Sequence, residues 1–190
     1  GPDGDAWGLS RGVFSLNFGT GDPAEDITFS SIANYKKAFS YNSGQCVNSN
    51  GPTRFMAIQM WKLARTSVNG GITTGVHVDT QKDACFTCTT EWDGFATSLA
   101  DHAAYQTITL PAGTYTFTAY YDETFEGECG NSYLVVANGA GLPTTSNIAS
   151  QAIASQAMSP KSSTVKSNSV SFTLSKESTI SLGLVINMSG

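Results

Sequence analysis

Residues 105–121, Tyr-Gln-Thr-Ile-Thr-Leu-Pro-Ala-Gly-Thr-Tyr-Thr-Phe-Thr-Ala-Tyr-Tyr, leave this chain few folds to choose from. Two alternating runs flank a Pro111-Ala112-Gly113 turn. Gln106, Ile108 and Leu110 share one face before the turn, and Tyr115, Phe117, Ala119 and Tyr121 share one face after it. A period of two puts successive side chains on opposite sides of an extended strand, so each run has a buried side and a wet side. Thr107, Thr109, Thr114, Thr116 and Thr118 fill the wet side, a β-branched polar choice suited to a half-exposed antiparallel sheet. The fold class read from this stretch is all-β, a two-sheet antiparallel β-sandwich.

Further strands support it. Val13–Phe18, Asp26–Phe29 and Phe39–Tyr41 are short candidates in residues 1–50, separated by turn signals at Gly19–Pro23 and Asn42–Gly44. Residues 30–38 read as one or two helical turns that open on a Ser30-Ser31 pair able to cap them. Arg54–Arg65 fits helical spacing poorly and reads better as a strand buried on both sides. Gly75–Thr80 and Cys85–Thr90 read as strands, Ser132–Ala137 as a short central one, and Ser169–Leu174 and Thr179–Ile186 as the last two. Ala96–Ala104 and Asn147–Met158 are rich in alanine and serine and read as short helices. Strands this numerous, with turns between them, suggest a jelly roll with one or two short helices, taken as a single domain over 1–190.

Composition narrows the partners. The chain has 190 residues, 40% of them hydrophobic and 11% aromatic, which is enough for a packed core. Only 13% are charged, and the net charge is −5. Phosphate binding needs clustered Lys and Arg, so nucleic acid is not an expected partner. Polarity comes instead from Ser, Thr, Gly and Asn, a balance typical of secreted β proteins. No apolar run is long enough to cross a bilayer, and no signal peptide is present. The Gly1-Pro2-Asp3-Gly4-Asp5 start is read as a trimmed end from which a leader has been removed. A monomer is expected.

Cys85-Phe86-Thr87-Cys88 has the spacing of half a zinc site or a redox pair. In an extended strand, however, positions three apart lie on opposite faces roughly 10 Å apart, beyond disulfide reach. The expectation is therefore a long-range disulfide, with Cys46 or Cys129 reaching the 85–88 strand or one another.

Glu91-Trp92-Asp93-Gly94-Phe95, Tyr105-Gln106-Thr107, Leu110–Tyr115, Tyr133–Gly139, Leu142-Pro143, Phe172-Thr173-Leu174 and Leu182-Gly183-Leu184 occur here in that order. Together, over about residues 85–190, they resemble a domain of unknown function found in lipid-anchored surface proteins of Bacteroidetes-type bacteria. The resemblance implies a galactose-binding-like jelly roll, an exported outer-membrane, cell-surface or periplasmic location, a lipid anchor upstream and a link to glycan uptake. It brings no binding residues with it.

Candidate sites come from the residues themselves. His77 and His102 stand outside any nucleophile motif, so an enzyme is not expected, although paired carboxylates can meet in space. Sugars present apolar C–H faces to aromatic rings and hydroxyls to short polar groups. Trp92 sits in a Gly-containing loop beside Asp93, and Tyr120 falls out of phase with the buried Tyr115-Phe117-Ala119 row. These three form the candidate carbohydrate site, with Trp61 and Phe125 as weaker contributors. The alternative for Trp92 is an indole folded back to plug one end of the sandwich, and for Tyr120 an ordinary exposed ring. Asp122, Glu123, Glu126 and Glu128 crowd one loop with hard oxygen ligands suited to a structural calcium, though a solvated acidic loop is the plainer account. The function expected is a noncatalytic glycan-binding or accessory module. The competing reading is a structural or adhesive spacer with no sugar ligand.

Overall fold

The computed structural model describes residues 13–18, 41–46, 55–58, 61–65, 74–79, 82–88, 99–121, 131–158 and 166–188, with side-chain burial for 61–65, 99–119, 131–158 and 168–187. Among the described residues twelve strands run in chain order: β1 (Val13–Phe18), β2 (Tyr41–Cys46), β3 (Phe55–Ile58), β4 (Lys62–Ala64), β5 (Thr74–Asp79), β6 (Lys82–Cys88), β7 (Leu99–Leu110), β8 (Gly113–Tyr121), β9 (Tyr133–Asn138), β10 (Ala152–Ala157), β11 (Lys166–Leu174) and β12 (Ser178–Met188). A 3-10 turn (Thr145–Asn147) leads into the one α-helix among the described residues, α1 (Ile148–Gln151).

Two antiparallel sheets enclose the main core. One has the order β1-β8-β11 and the other β10-β9-β12-β7-β4. Tyr115, Phe117, Ala119, Val170, Phe172 and Leu174 from the three-stranded sheet join Ile108, Leu110, Leu134, Val136, Ile180 and Leu182 from the five-stranded one in a single apolar cluster. The protein is thus an all-β sandwich, as the alternation around Pro111 requires. Along β8 the row Tyr115, Phe117, Ala119 is buried, while Thr114 is exposed and Thr116 half-buried. Tyr115 stacks on Phe172 with centroids 5.4 Å apart. A further sheet, β2-β3-β5-β6, is built from the N-terminal half of the chain.

The Pro111-Ala112-Gly113 turn does not close a hairpin. It carries the chain from β7 in the five-stranded sheet to β8 in the three-stranded one. Proline supplies no N–H, so it sits comfortably where strand pairing stops. The Tyr115 hydroxyl donates to the Pro111 carbonyl at 2.7 Å and fixes the corner.

β12 pairs with both β7 and β9, which makes the last strand central. Its residues from Ile180 to Ile186 are all buried. The outer side of this sheet carries a second, smaller cluster of Ala103, Val135, Ala137, Leu142, Ile148 and Val185. Leu142 and Ile148 belong to the segment between β9 and β10, which therefore lies over that side.

Three local expectations are corrected. Ala96–Ala104 is not a helix where it is described, because Leu99–Ala104 opens β7. Alanine favours helix in isolation, but here Ala103 and Ala104 are wholly buried and paired with β12 on one side and β4 on the other. Residues 147–158 hold only one helical turn before turning extended at Ala152. Asn42–Gly44 lies inside β2, where pairing jumps from Asn42↔Ala57 to Cys46↔Met56, so the turn-forming residues make a bulge. The Asp26–Phe29 strand and the 30–38 helical turns fall outside the described residues.

The disulfide expectation also changes. Cys46 is opposite Met56, Met56 opposite Val76, and Val76 opposite Phe86. Three strand spacings, about 14 Å, separate Cys46 from the Cys85–Cys88 strand, well beyond the Cα separation a disulfide allows. No disulfide is found among the described residues, and Cys129 lies outside them.

Candidate functional site

Trp92, Asp93, Asp122, Glu123, Glu126, Glu128 and Phe125 lie outside the described residues. The proposed calcium loop is therefore outside them too; among the described residues no group of three or more His, Cys, Asp or Glu could hold a metal ion. Tyr120 has its backbone in β8, opposite Val13 in β1 and Ser167 in β11, and its side chain is not described. Trp61 is in the core at 7% exposure, which removes it as a stacking ring.

Two surfaces remain, one on each sheet. On the three-stranded sheet, β8 and β11 bring hydroxyls together in cross-strand pairs. Thr114 meets Thr173 at 3.2 Å, Thr116 meets Ser171 at 3.2 Å, and Thr118 meets Ser169 at 2.9 Å. Each pair follows from the register, which sets every second residue of β8 opposite every second residue of β11. The row is neutral; Thr114, Ser169, Ser171 and Thr173 are exposed and Thr116 is half-buried. Thr118, expected on the wet side, is instead buried at 4% exposure, and the Tyr120 backbone comes two positions beyond it.

On the five-stranded sheet the outer side is held by buried polar groups. Ser181, fully buried in the middle of β12, donates to the Gly139 carbonyl at 2.7 Å and accepts from the Gly141 N–H at 2.9 Å. Gly139 and Gly141 have φ of +73° and +94°, a left-handed backbone that glycine adopts without a Cβ clash. The loop is thereby folded down onto the sheet.

Its far end is tied by Arg65, Asp101, Thr145 and Asn187. The Arg65 guanidinium donates to the carbonyls of Asp101, Leu142 and Pro143. One Asp101 carboxylate oxygen accepts the Thr145 N–H at 2.8 Å, and the Asp101 N–H donates to Asn187 Oδ1 at 2.8 Å. Asn187 Nδ2 reaches Thr145 Oγ1 and the Asn131 carbonyl. Thr145 hydrogen bonds, its side chain first, hold the Asp101 carboxyl below the usual carboxylate value, and the Arg65 charge adds to this against partial burial. Arg65 and Asp101 both have left-handed backbones, with φ of 52° and 54°. For Asp101 the cause is a bulge, since β7 spends three steps from Leu99 to His102 while β12 spends two from Ile186 to Met188.

Between this network and the end of β9 is an open cleft of about 390 Å³. Ala64 and Arg65 form one wall, Ala137 and Asn138 another, and Ala140 to Pro143 with Gln151 complete it. Nothing in the sequence pointed here. Arg65 and Asp101 are 36 residues apart, and Asp101 and Asn187 are 86 apart. Arg65 is not a residue type that signals a left-handed backbone.

His102, next to Asp101, is wholly buried. Burial pushes its imidazole down to about 4, against which hydrogen bonding to the Arg65 and Ala64 backbone acts only in part. The folded protein therefore keeps His102 neutral while the unfolded chain protonates it below about 6.5. This linkage leaves stability untouched above pH 6.5 and removes about 3 kcal/mol as pH falls from 6.5 to 4. Urea unfolding across that range should show the decline, and His102→Gln should flatten the slope within it whatever the variant does to stability at pH 8. An unchanged slope would exclude His102 as its source.

Residues 34–183 match the family model described as Domain of unknown function (DUF5013). The match begins at residue 34 rather than at 85, so it takes in the β2-β3-β5-β6 sheet as well as most of the sandwich. No curated protein and no solved structure matches this chain.

Proposed function

We propose that this chain, which belongs to the DUF5013 family, is a noncatalytic glycan-binding or accessory module of an exported surface lipoprotein. The observation that carries the reading is the hydroxyl row on the three-stranded sheet. Neutral, closely spaced donors and acceptors on a sheet face suit a ligand that is itself a chain of hydroxyls. Thr114, Thr116, Ser169, Ser171 and Thr173 would exchange hydrogen bonds with sugar hydroxyls. Tyr120 would stack its ring on a sugar C–H face, with Trp92 and Asp93 completing the contact. Exported placement is favoured by the low charge and the Ser, Thr and Gly content, and by the surface-protein motifs from Trp92 to Leu184.

Affinity electrophoresis against a panel of neutral polysaccharides tests this. Retardation is expected for at least one, reduced about tenfold in apparent affinity by Trp92→Ala or Tyr120→Ala, since stacking of a ring and its hydrogen-bonding neighbours is worth on the order of 1–2 kcal/mol. No retardation by any polysaccharide would favour a spacer or adhesive role instead.

A further inference from the structure

We infer that the cleft beside Arg65 is a second binding site, selective for a carboxylate-bearing sugar such as a uronic acid. This goes beyond the hydroxyl face, because the two sites lie on different sheets and use different residues.

Charge is the first argument. The chain carries −5 overall, yet among the described residues no Asp or Glu lines the cleft. The charged group among its described lining residues is Arg65, which is exposed and donates to the backbone carbonyls of Asp101, Leu142 and Pro143. Those carbonyls orient the guanidinium without cancelling its charge, and a guanidinium has more N–H groups than they engage. A planar cation fixed in this way is suited to a carboxylate. The Asp101 carboxylate, which interacts with the Arg65 charge, is not among the groups that line the cleft and accepts the Thr145 N–H.

The rest of the lining supplies the second argument. Asn138 and Gln151 are exposed, and their side-chain amides make no hydrogen bond among the described residues. Each offers a donor and an acceptor, which is what a sugar hydroxyl needs. Ala64, Ala137 and Ala140 keep the cleft open and give it small apolar surfaces. Its volume of about 390 Å³ falls within the range of small-ligand sites.

The third argument is preorganisation. Arg65 is held with a left-handed backbone at φ 52°, which a residue with a Cβ adopts only when its surroundings enforce it. The loop opposite is locked by Ser181 and by the Asp101–Thr145 contact. The Arg65 guanidinium and the loop backbone that would meet a ligand are therefore in place before it arrives.

Titration of the isotope-labelled protein with sodium glucuronate, glucose and sodium acetate, followed by amide NMR, tests the assignment. Glucuronate should give saturable shifts at the Ala140 and Gly141 amides and the Gln151 side chain. Glucose and acetate should each bind roughly tenfold more weakly, lacking the carboxylate and the hydroxyls respectively. Raising the salt should weaken glucuronate binding. Arg65→Gln should abolish it. Because that change also loosens the loop, Asn138→Ala and Gln151→Ala serve as variants of exposed side chains outside the hydrogen-bond network, and each should weaken binding several-fold with the fold intact. Equal response to glucose or to acetate, no saturation, or indifference to both amide variants would overturn the proposal. Neutral-polysaccharide retardation through Trp92 and Tyr120 is read separately, so either site can fail alone.

Discussion

Gly183→Ala is expected to cost about 3 kcal/mol or more, enough to leave much of the protein unfolded. A Cβ at position 183 would stand 2.0 Å from the Ala104 carbonyl oxygen and 2.7 Å from the Tyr105 Cα. Both are backbone atoms of β7, so no rotamer change relieves the overlap. β12 is hydrogen-bonded to β7 on one side and β9 on the other, and moving it away from β7 would drive it into β9. With a urea slope of about 2 kcal/mol/M, the unfolding midpoint should fall by roughly 1.5 M or more. Gly139→Ala and Gly141→Ala make the comparison informative. A Cβ at either meets nothing within 4 Å, and only the left-handed φ is strained, so each should cost about 1 kcal/mol. Equal effects at 139 and 183 would mean that the close approach of β12 to β7 is not present in solution.

Phe117→Ala should cost about 3–5 kcal/mol. Phe117 is 1% exposed on β8, the middle strand of its sheet, with neighbours Leu16 in β1 and Val170 in β11. Its ring belongs to the cluster that joins both sheets. Removing it opens a cavity with rigid walls, because both flanking strands are anchored by their own pairing. Tyr115→Ala should be of similar size, since it forfeits the stack on Phe172 and the hydrogen bond that sets the Pro111 corner. Tyr115→Phe isolates the hydroxyl and should cost about 1 kcal/mol. Thermal or urea unfolding of the three variants gives these values directly.

The sandwich strands could be read from the chain because each one's environment is written in its own residues. Val170, Phe172 and Leu174 alternate with polar neighbours since β11 has one wet side, and in β12 the row Ile180, Leu182, Leu184 and Ile186 marks the core side. Val13–Phe18 was legible to the residue. The start of β7 was not. Ala103 and Ala104 are wholly buried between β12 and β4, a long-range pairing that local propensity reads as helix. The Pro111 turn was legible as a turn but not as a change of sheet, because alternation reports which side is buried and not which strand lies alongside. The hydroxyl row required the register of β8 against β11. The Arg65 cleft required the end of β4, the loop after β9 and the end of α1 to converge, and the left-handed backbone at Arg65 falls on a residue type that gives no warning. Buried Ser181 looks in sequence like any polar residue of a strand; its loop-holding role appears only once Gly139 and Gly141 are placed over it.

The account rests on β8 presenting alternate residues to the core and to the hydroxyl face. Alanine substitutions taken one at a time at Thr114, Tyr115, Thr116 and Phe117, each followed by urea unfolding, test that most directly. The predicted result is a sawtooth, with losses of about 3 kcal/mol or more at Tyr115 and Phe117 and changes within about 0.5 kcal/mol at Thr114 and Thr116. A flat profile, or large losses at the threonines with small ones at the rings, would contradict the sandwich and the sugar-binding face built on it.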